Sequence, residues 1–292
     1  MRYKCEQIEL QRKDDGKKLY FTKFWCPASI QEKNILIIHG LTYTQHIFDI
    51  KFKDYSLCEY FAQNGYNVFR LDLSGYGRSE KYEDGWIVTT QHAAEDEIYA
   101  LEKICEIQDV KKVDVLGWSW GSMTTSKVAS QRPELIRGLA WFGPCFGGTF
   151  APIPVTEPFT ANTYANVVRI WQHVPGSNID PDYTTIEPEL HGMWVDQCFK
   201  YDGGHGRPNG GAKEINENGD GWLIHTKAVK VPVMIIAGTV DAYTNLDRAH
   251  QAEKELPDGT RLLILHGAGH AMFLERDYYK KAREAVLHFF ER

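Results

Sequence analysis

Short apolar runs, most of them ending at or near a glycine, alternate with helical stretches along much of the 292-residue chain. The run NILIIHG at 34–40 is almost continuously apolar, as expected of a strand that is buried on both faces. The stretch before it, at 6–27, predicts two antiparallel strands around the turn Asp14-Asp15-Gly16. Further strands are predicted at 67–75, 111–118, 138–144, 231–238 and 261–267, and helices at 54–66, 93–108, 122–134 and 278–292. The pattern predicts an α/β fold with a mostly parallel central sheet and helices on both faces.

The alternation breaks in one long segment that is rich in Pro, Gly, Asn and aromatic residues. A few helical stretches occur within it, and GGHGRPNGG around His205 is predicted to be a loop. A break of this length inside an α/β alternation is typical of an insertion that covers a site. We therefore predict a core formed by residues 1–144 and 228–292, with residues 145–227 inserted as a cap.

Composition restricts the partners that we expect. The chain has 33 basic and 39 acidic residues and a net charge of −6, so neither nucleic acid nor an anionic membrane is expected as a main partner. The N-terminus has no uninterrupted apolar run of the signal-peptide kind, and no later run could span a bilayer, which predicts a soluble cytoplasmic protein. Six scattered cysteines without a C-x-x-C pair favour packed free thiols. The sequence does not indicate the oligomeric state.

A serine lies between two glycines where a predicted strand meets a predicted helix. The stretch Gly117-Trp118-Ser119-Trp120-Gly121 matches G-x-S-x-G, in which a strained turn lifts a serine hydroxyl clear of a sheet. Side chains at the two glycine positions would collide with neighbouring elements. The helix that follows points free N–H groups at the serine, where they favour developing negative charge. The pattern predicts that Ser119 is a nucleophile.

A serine nucleophile needs a base to take its proton and an acid to orient that base. The expected base is His270, in GAGH after the last predicted strand, rather than His266 at the end of that strand. The expected acid is Asp241, in GTVD after the preceding strand, rather than Asp247 in the helical stretch that follows.

Together these motifs resemble the α/β-hydrolase superfamily. IIHG, LDLSGYGRSE, GWSWGS, GTVD and GAGH cover nearly the whole chain, and the order Ser119, Asp241, His270 is the one found in that superfamily. The resemblance implies a serine hydrolase that forms an acyl-enzyme. It also implies an oxyanion hole made by the backbone N–H groups of Leu41 and Trp120, and chemistry that requires neither a metal nor a cofactor.

Several substrate classes are open. GWSWGS is also similar to proline iminopeptidases, but these carry H-G-G-P-G where this chain has HGLTYT, so a small-molecule carboxylic ester or lactone is favoured over an amide. HGLTYTQHIFD, LDLSGYGRSE and GWSWGS with an aromatic cap are similar to serine-dependent macrolide esterases, which implies macrolide lactone opening and antibiotic resistance. Acyl transfer to an alcohol or amine and a non-catalytic ligand receptor on the same fold are alternatives. Candidate pocket residues are Tyr43, His46, Trp171 and Trp194.

Two segments partly match the sequence patterns of metal-binding or phosphate-binding loops. The stretch NENGDG from Asn216 partly matches a calcium loop, but Lys227 stands where that loop requires a bidentate glutamate. The stretch around His205 lacks both the Lys-Ser/Thr ending of a phosphate loop and a His or Cys partner at ligand spacing. Neither segment is predicted to bind a metal ion.

Overall fold

A twisted, mainly parallel sheet forms the centre of the protein. The computed structural model describes residues 3–148, 153–202, 204 and 206–292. The strands are β1 (Lys4–Ile8), β2 (Phe21–Trp25), β3 (Lys33–Ile38), β4 (Tyr66–Leu71), β5 (Val113–Trp118), β6 (Ile136–Phe142), β7 (Phe159–Thr160), β8 (Arg207–Pro208), β9 (Val233–Gly238) and β10 (Arg261–Leu265). The central sheet has the order β1-β2-β4-β3-β5-β6-β9-β10, and β7 and β8 pair separately. The strands from β4 to β10 in this order are parallel, and the β1–β2 and β2–β4 pairs are antiparallel, which confirms the predicted fold class.

Helices cover both faces of the central sheet. They are α1 (Leu57–Gln63), α2 (Thr90–Gln108), α3 (Trp120–Gln131), α4 (Tyr164–Val168), α5 (Pro188–Lys200), α6 (Gly210–Asn218), α7 (Leu246–Glu255) and α8 (Tyr279–Phe290). In β3, Ile35 and Ile37 join the core beneath α1 and α8, whereas Leu36 and Ile38 join the core beneath α2, α3 and α7. Successive side chains of a strand point to opposite faces, so a strand between two helix layers is apolar throughout. None of the helices in the described ranges is long and apolar enough to cross a lipid bilayer.

The described part of residues 145–227, called the insert below, packs on the carboxyl edge of the parallel strands. It holds α4, α5, α6 and the β7–β8 pair and adds no strand to the central sheet. The main contact is Trp194 of α5, a fully buried residue whose ring lies 4.9 Å from that of Tyr43 and 5.9 Å from that of Trp118. Tyr43 follows β3, and Trp118 ends β5. The insert therefore covers the edge at which α/β sheets form their sites.

The predicted loop around His205 is wrong at its C-terminal end, because α6 begins there at Gly210. Two of its residues, Gly203 and His205, lie outside the described residues. A Cβ on Gly211 would be 2.6 Å from the Trp120 ring. The glycines that suggest a flexible loop in the sequence instead allow the start of α6 to pack directly on this indole.

Trp194→Ala should lower the free energy of unfolding by about 3–5 kcal/mol, because it empties a large buried site between the insert and the core. The matched control is Phe199→Ala on the same helix, since Phe199 is 42% exposed and its truncation should cost about 0.5 kcal/mol or less. Urea denaturation measures both effects. Equal losses in the two variants would contradict the packing described for Trp194.

Candidate active site

Ser119 lies on a strained turn between β5 and α3. Its φ of 58° and ψ of −122° are rare for a residue with a side chain. A Cβ on Gly117 would lie 2.3 Å from the backbone oxygen of Gly121, and a Cβ on Gly121 would lie 2.8 Å from that of Ile38. Only glycine fits at either position, because both distances are well below van der Waals contact. The strand–turn–helix geometry predicted from G-x-S-x-G is present.

Two backbone segments bring N–H groups close to Ser119. Trp120 is the first residue of α3, so its N–H group has no acceptor within the helix. The turn after β3 passes directly against the serine, since a Cβ on Gly40 would be 3.0 Å from the Ser119 Cβ. Leu41 follows in this turn, and Leu41, Trp120 and Ser119 line one cavity.

His270 and Asp241 form a buried hydrogen-bonded pair. The Nδ1 atom of His270 lies 3.0 and 2.9 Å from the two carboxylate oxygens of Asp241. Their side chains are 2% and 0% exposed. When Nδ1–H donates to the carboxylate, Nε2 is left as the atom that can accept a proton. The structure thus brings together two residues that are 29 positions apart in the sequence.

Further hydrogen bonds hold this pair in place. The N–H group of Tyr243 donates to Asp241 at 2.8 Å, and the hydroxyl of Thr244 donates to the other carboxylate oxygen at 2.9 Å. Both bonds fix the position of the carboxylate. The indole N–H of Trp118 donates to the backbone oxygen of His270 at 3.0 Å. Trp118 therefore fixes the loop that carries the histidine.

The hydroxyl of Ser119 lies beside a thiol. Its Oγ atom is 3.7 Å from Sγ of Cys145, and no hydrogen bond in the described part of the chain links it to His270. Contacts between a nucleophile and its base are often long in the free enzyme and shorten when substrate binds. Cys145 is a buried free thiol whose pKa is raised to about 12 by burial, so it is uncharged near neutral pH.

The cavity over Ser119 is small. Its volume of about 30 Å³ is close to the space that one water molecule occupies. The residues that line it are Leu41, Thr42, Tyr43, Ser119, Trp120, Cys145, Ile153, Arg169, Ile170, Ile215, Tyr243 and His270. Four of these, Ile153, Arg169, Ile170 and Ile215, belong to the insert beyond Cys145, so the insert forms part of the cavity wall over the serine.

Only one of the four candidate pocket residues lines this cavity, namely Tyr43. Trp171 and Trp194 are buried against each other, with ring centroids 5.2 Å apart, in the contact between the insert and the core. His46 stacks on Tyr201 with a centroid separation of 3.5 Å. These three aromatic side chains are used for packing, and the structure places them away from the Ser119 cavity.

The rival base and acid lie outside the cavity. His266 is exposed, and its backbone oxygen accepts a hydrogen bond from the hydroxyl of Tyr278 at 2.7 Å. Asp247 is exposed in the first turn of α7. The structure brings His270 and Asp241 to the serine turn instead.

A buried carboxylate that the sequence analysis did not identify supports the loop of His270. Both carboxylate oxygens of Glu275 accept the N–H of Gly269, at 3.1 and 2.9 Å. Burial raises the pKa of Glu275 to about 7. From the insert, Gln172 donates to the backbone oxygen of Gly267 in the same loop at 2.9 Å. The sequence gives little indication of this role, because Glu275 is one glutamate in the apolar stretch after GAGH.

The described residues contain no group of three or more His, Cys, Asp and Glu side chains arranged to hold a metal ion. The segment that imitates a calcium loop starts at Asn216, inside α6. The side chain of Asn216 accepts a hydrogen bond from the N–H of Ile153 at 2.8 Å and donates to its backbone oxygen at 2.8 Å. This part of the segment is helix, and its amide is used to hold the insert together.

A sequence-family model described as "Serine aminopeptidase, S33" matches residues 30–277. The chain belongs to this family. The match extends from the start of β3 to beyond His270 and so includes Ser119 and Asp241. No curated protein matches the chain in sequence. The family is one of hydrolases, and the residues described above lie in the part that it covers.

Solved structures share the fold at low sequence identity. A hydrolase from Pseudomonas aeruginosa PA01 is 18% identical, with a TM-score of 0.70 over 98% of this chain and 99% of that one. An enol-lactonase from Burkholderia xenovorans LB400 is 16% identical, with a TM-score of 0.70 over 98% and 100% of the two chains. A monoacylglycerol lipase from Paleococcus ferrophilus is 18% identical, with a TM-score of 0.66 over 93% and 98%. At these identities the similarity shows the α/β-hydrolase fold.

Glu275→Gln should change how stability depends on pH. Because the pKa of Glu275 is raised from 4.5 to about 7 in the folded protein, its stabilising contribution is complete below pH 4.5 and is lost as the pH rises through 7. Glutamine keeps an acceptor for Gly269 without a charge. The variant should therefore gain stability relative to the wild type between pH 5 and pH 8, by up to about 3 kcal/mol.

Urea denaturation of both proteins at the two pH values measures this gain. A stability difference that is the same at pH 5 and pH 8 would contradict a raised pKa for Glu275.

Proposed function

We propose that the protein is a serine hydrolase that cleaves a carboxylic ester or lactone, with Ser119 as nucleophile, His270 as base and Asp241 as the acid that orients it. One observation carries the proposal. A strained serine turn, a buried histidine–aspartate pair and two backbone N–H groups at the turns of Leu41 and Trp120 meet at one cavity. A nucleophile, its base, the acid that orients the base and an oxyanion hole are the groups that serine-dependent acyl transfer uses.

In the first half of the reaction, Ser119 Oγ attacks the acyl carbonyl and passes its proton to His270 Nε2. Asp241 holds the imidazole in the required tautomer and stabilises the imidazolium. The N–H groups of Leu41 and Trp120 stabilise the negative oxygen of the tetrahedral intermediate, each by roughly 2.7–4 kcal/mol. The proton on His270 is then given to the leaving alkoxide, which leaves the acyl-enzyme.

The second half repeats these steps with water. His270 Nε2 takes a proton from the water as its oxygen attacks the acyl carbon, and the same proton then returns to Ser119 Oγ when the ester bond breaks. The carboxylic acid is released and the enzyme is restored. An alcohol or amine in place of water would give acyl transfer, which product analysis with competing nucleophiles distinguishes.

The lining of the cavity supports an ester or lactone over an N-terminal amide. An aminopeptidase must bind a protonated amino group, which calls for a carboxylate near the nucleophile. Among the described residues that line the cavity there is no Asp or Glu, and the one charged side chain is that of Arg169. The turn after β3 also reads HGLTYT, which differs from the H-G-G-P-G of proline iminopeptidases.

We further propose that the insert acts as a cap that must move to admit substrate. The cavity volume of about 30 Å³ supports this. A macrolide lactone, the narrow substrate class suggested by the motifs around HGLTYTQHIFD, would need the largest movement. A panel of short aryl esters, acyl thioesters, lactones and a macrolide therefore tests the substrate class directly.

Ser119→Ala should lower kcat by about a millionfold while the fold is retained. Steady-state hydrolysis of the best ester in the panel measures the loss, and circular dichroism checks the fold. Near-normal hydrolysis by this variant would contradict the mechanism. A wild-type protein that binds its best ligand without multiple turnover would instead indicate a ligand receptor.

Asp241→Asn should lower kcat by about 10⁴-fold, because the amide favours the wrong tautomer of His270. Asp247→Asn is the matched control, since Asp247 is exposed on α7, and it should retain wild-type kcat. A reversal, with Asp247→Asn impaired and Asp241→Asn active, would show that the acid is misassigned.

A further inference from the structure

An arginine lines the candidate active site without a counter-ion. Arg169 is part of the cavity wall, and within the described residues its guanidinium group makes no ion pair or hydrogen bond. Its Cζ atom lies 6.0 Å from the centroid of the Tyr243 ring, and that centroid lies 4.6 Å from the centroid of the His270 ring. The ring of Tyr243 therefore contacts both the positive charge of Arg169 and the proposed base, His270.

A second arginine lies buried in the same part of the insert. Arg207, in β8, is 4% exposed, and its Nη1 atom has no hydrogen-bond partner in the described chain. It makes no ion pair there either. Burial, together with the nearby charge of Arg169, lowers the pKa of Arg207 to about 10. The charges of both arginines also act on the hydroxyl of Tyr43, which lines the cavity.

Arg207 differs in this respect from Arg12, another buried arginine. Arg12, which is 2% exposed, is bonded to Asp14, Glu95 and Asp96. Burying a cation without such partners costs several kcal/mol. A protein with a net charge of −6 has abundant carboxylates, yet the described structure places none against the two arginines of the insert. Among the described residues, neither guanidinium group therefore has an anionic partner.

Resting on the hydrolase function proposed above, we propose that Arg169 and Arg207 bind a carboxylate group of the substrate, so that the natural substrate is an anionic ester or lactone. Arg169 contacts this group in the cavity, and Arg207 adds positive charge from the adjacent strand of the insert. Guanidinium groups suit this role, because their planar donors match the two oxygens of a carboxylate. The same charges disfavour a substrate whose cationic group lies near the nucleophile.

The first experiment compares two esters of equal length, mono-4-nitrophenyl glutarate and 4-nitrophenyl pentanoate. The ratio of kcat/KM for the anionic ester to that for the neutral ester should fall by about 30-fold or more in Arg169→Met, since a desolvated charge contact is lost. Arg261→Met removes the same charge from the far end of β10, where the guanidinium bonds to the neighbouring Thr260 backbone, and should leave the ratio unchanged. An unchanged ratio in Arg169→Met would overturn the proposal.

The second experiment does not depend on turnover. Calorimetric titration of the full-length wild type with 5-anilino-5-oxopentanoate and with N-phenylpentanamide compares an anionic amide with a neutral one. Tighter binding of the anionic amide, lost in Arg169→Met, supports the carboxylate site even if both esters resist hydrolysis, in which case only the hydrolase function fails. Hydrolysis of both esters without any preference for charge in either experiment overturns the carboxylate site alone.

Arg207→Met separates a binding role from a structural one. If Arg207 is held unpaired for a ligand, its replacement by an apolar side chain of similar length should raise the melting temperature of the free protein and weaken binding of the anionic amide. A lowered melting temperature with unchanged discrimination between the two amides would show that Arg207 serves the fold, and would overturn its part in the site.

Discussion

The close contact between the serine turn and the end of β3 sets the geometry on which the site depends. The backbone at Ser119 is strained, and the glycines at 117 and 121 leave no space for a Cβ against neighbouring backbone oxygens. Gly40 approaches from β3, so the backbone of Leu41 lies beside the serine. Strain of this kind persists only where surrounding structure over-determines it. Here the parallel strands β3 and β5, paired along their length and buried on both faces, provide that constraint.

The polar groups buried at the same edge differ in whether the protein itself supplies their hydrogen-bond partners. The carboxylate of Asp241 pairs with His270 and also accepts hydrogen bonds from Tyr243 and Thr244. The strand end of β6 leaves room for this pair, because a Cβ on Gly143 would lie 2.8 Å from the imidazole. In the insert, by contrast, the buried Nη1 atom of Arg207 has no hydrogen-bond partner among the described residues. A fully hydrogen-bonded network fixes a geometry, and we propose that the substrate satisfies the unpaired donor in the insert.

Much of this architecture follows from local sequence pattern. Strands between two helix layers are apolar at every position, so they stand out in the sequence, and Ser119, Asp241 and His270 are found because parallel strands end at one edge. Features that depend on contacts between distant segments were not predictable. The sequence at the start of α6 is typical of a loop, and only the structure shows that Gly211 packs on Trp120. The role of Glu275 likewise depends on its hydrogen bond with Gly269, which the sequence does not reveal.

In the proposed mechanism one serine, Ser119, is made reactive by its surroundings. Covalent labelling tests this most directly. A fluorophosphonate should add one adduct per chain, mapped by mass spectrometry to the tryptic peptide 113–127 and within it to Ser119, although Ser122 and Ser126 lie on the same peptide. His270→Ala should suppress the adduct, because the hydroxyl then lacks its base. Labelling at another serine, or labelling that is equal with and without His270, would contradict the account.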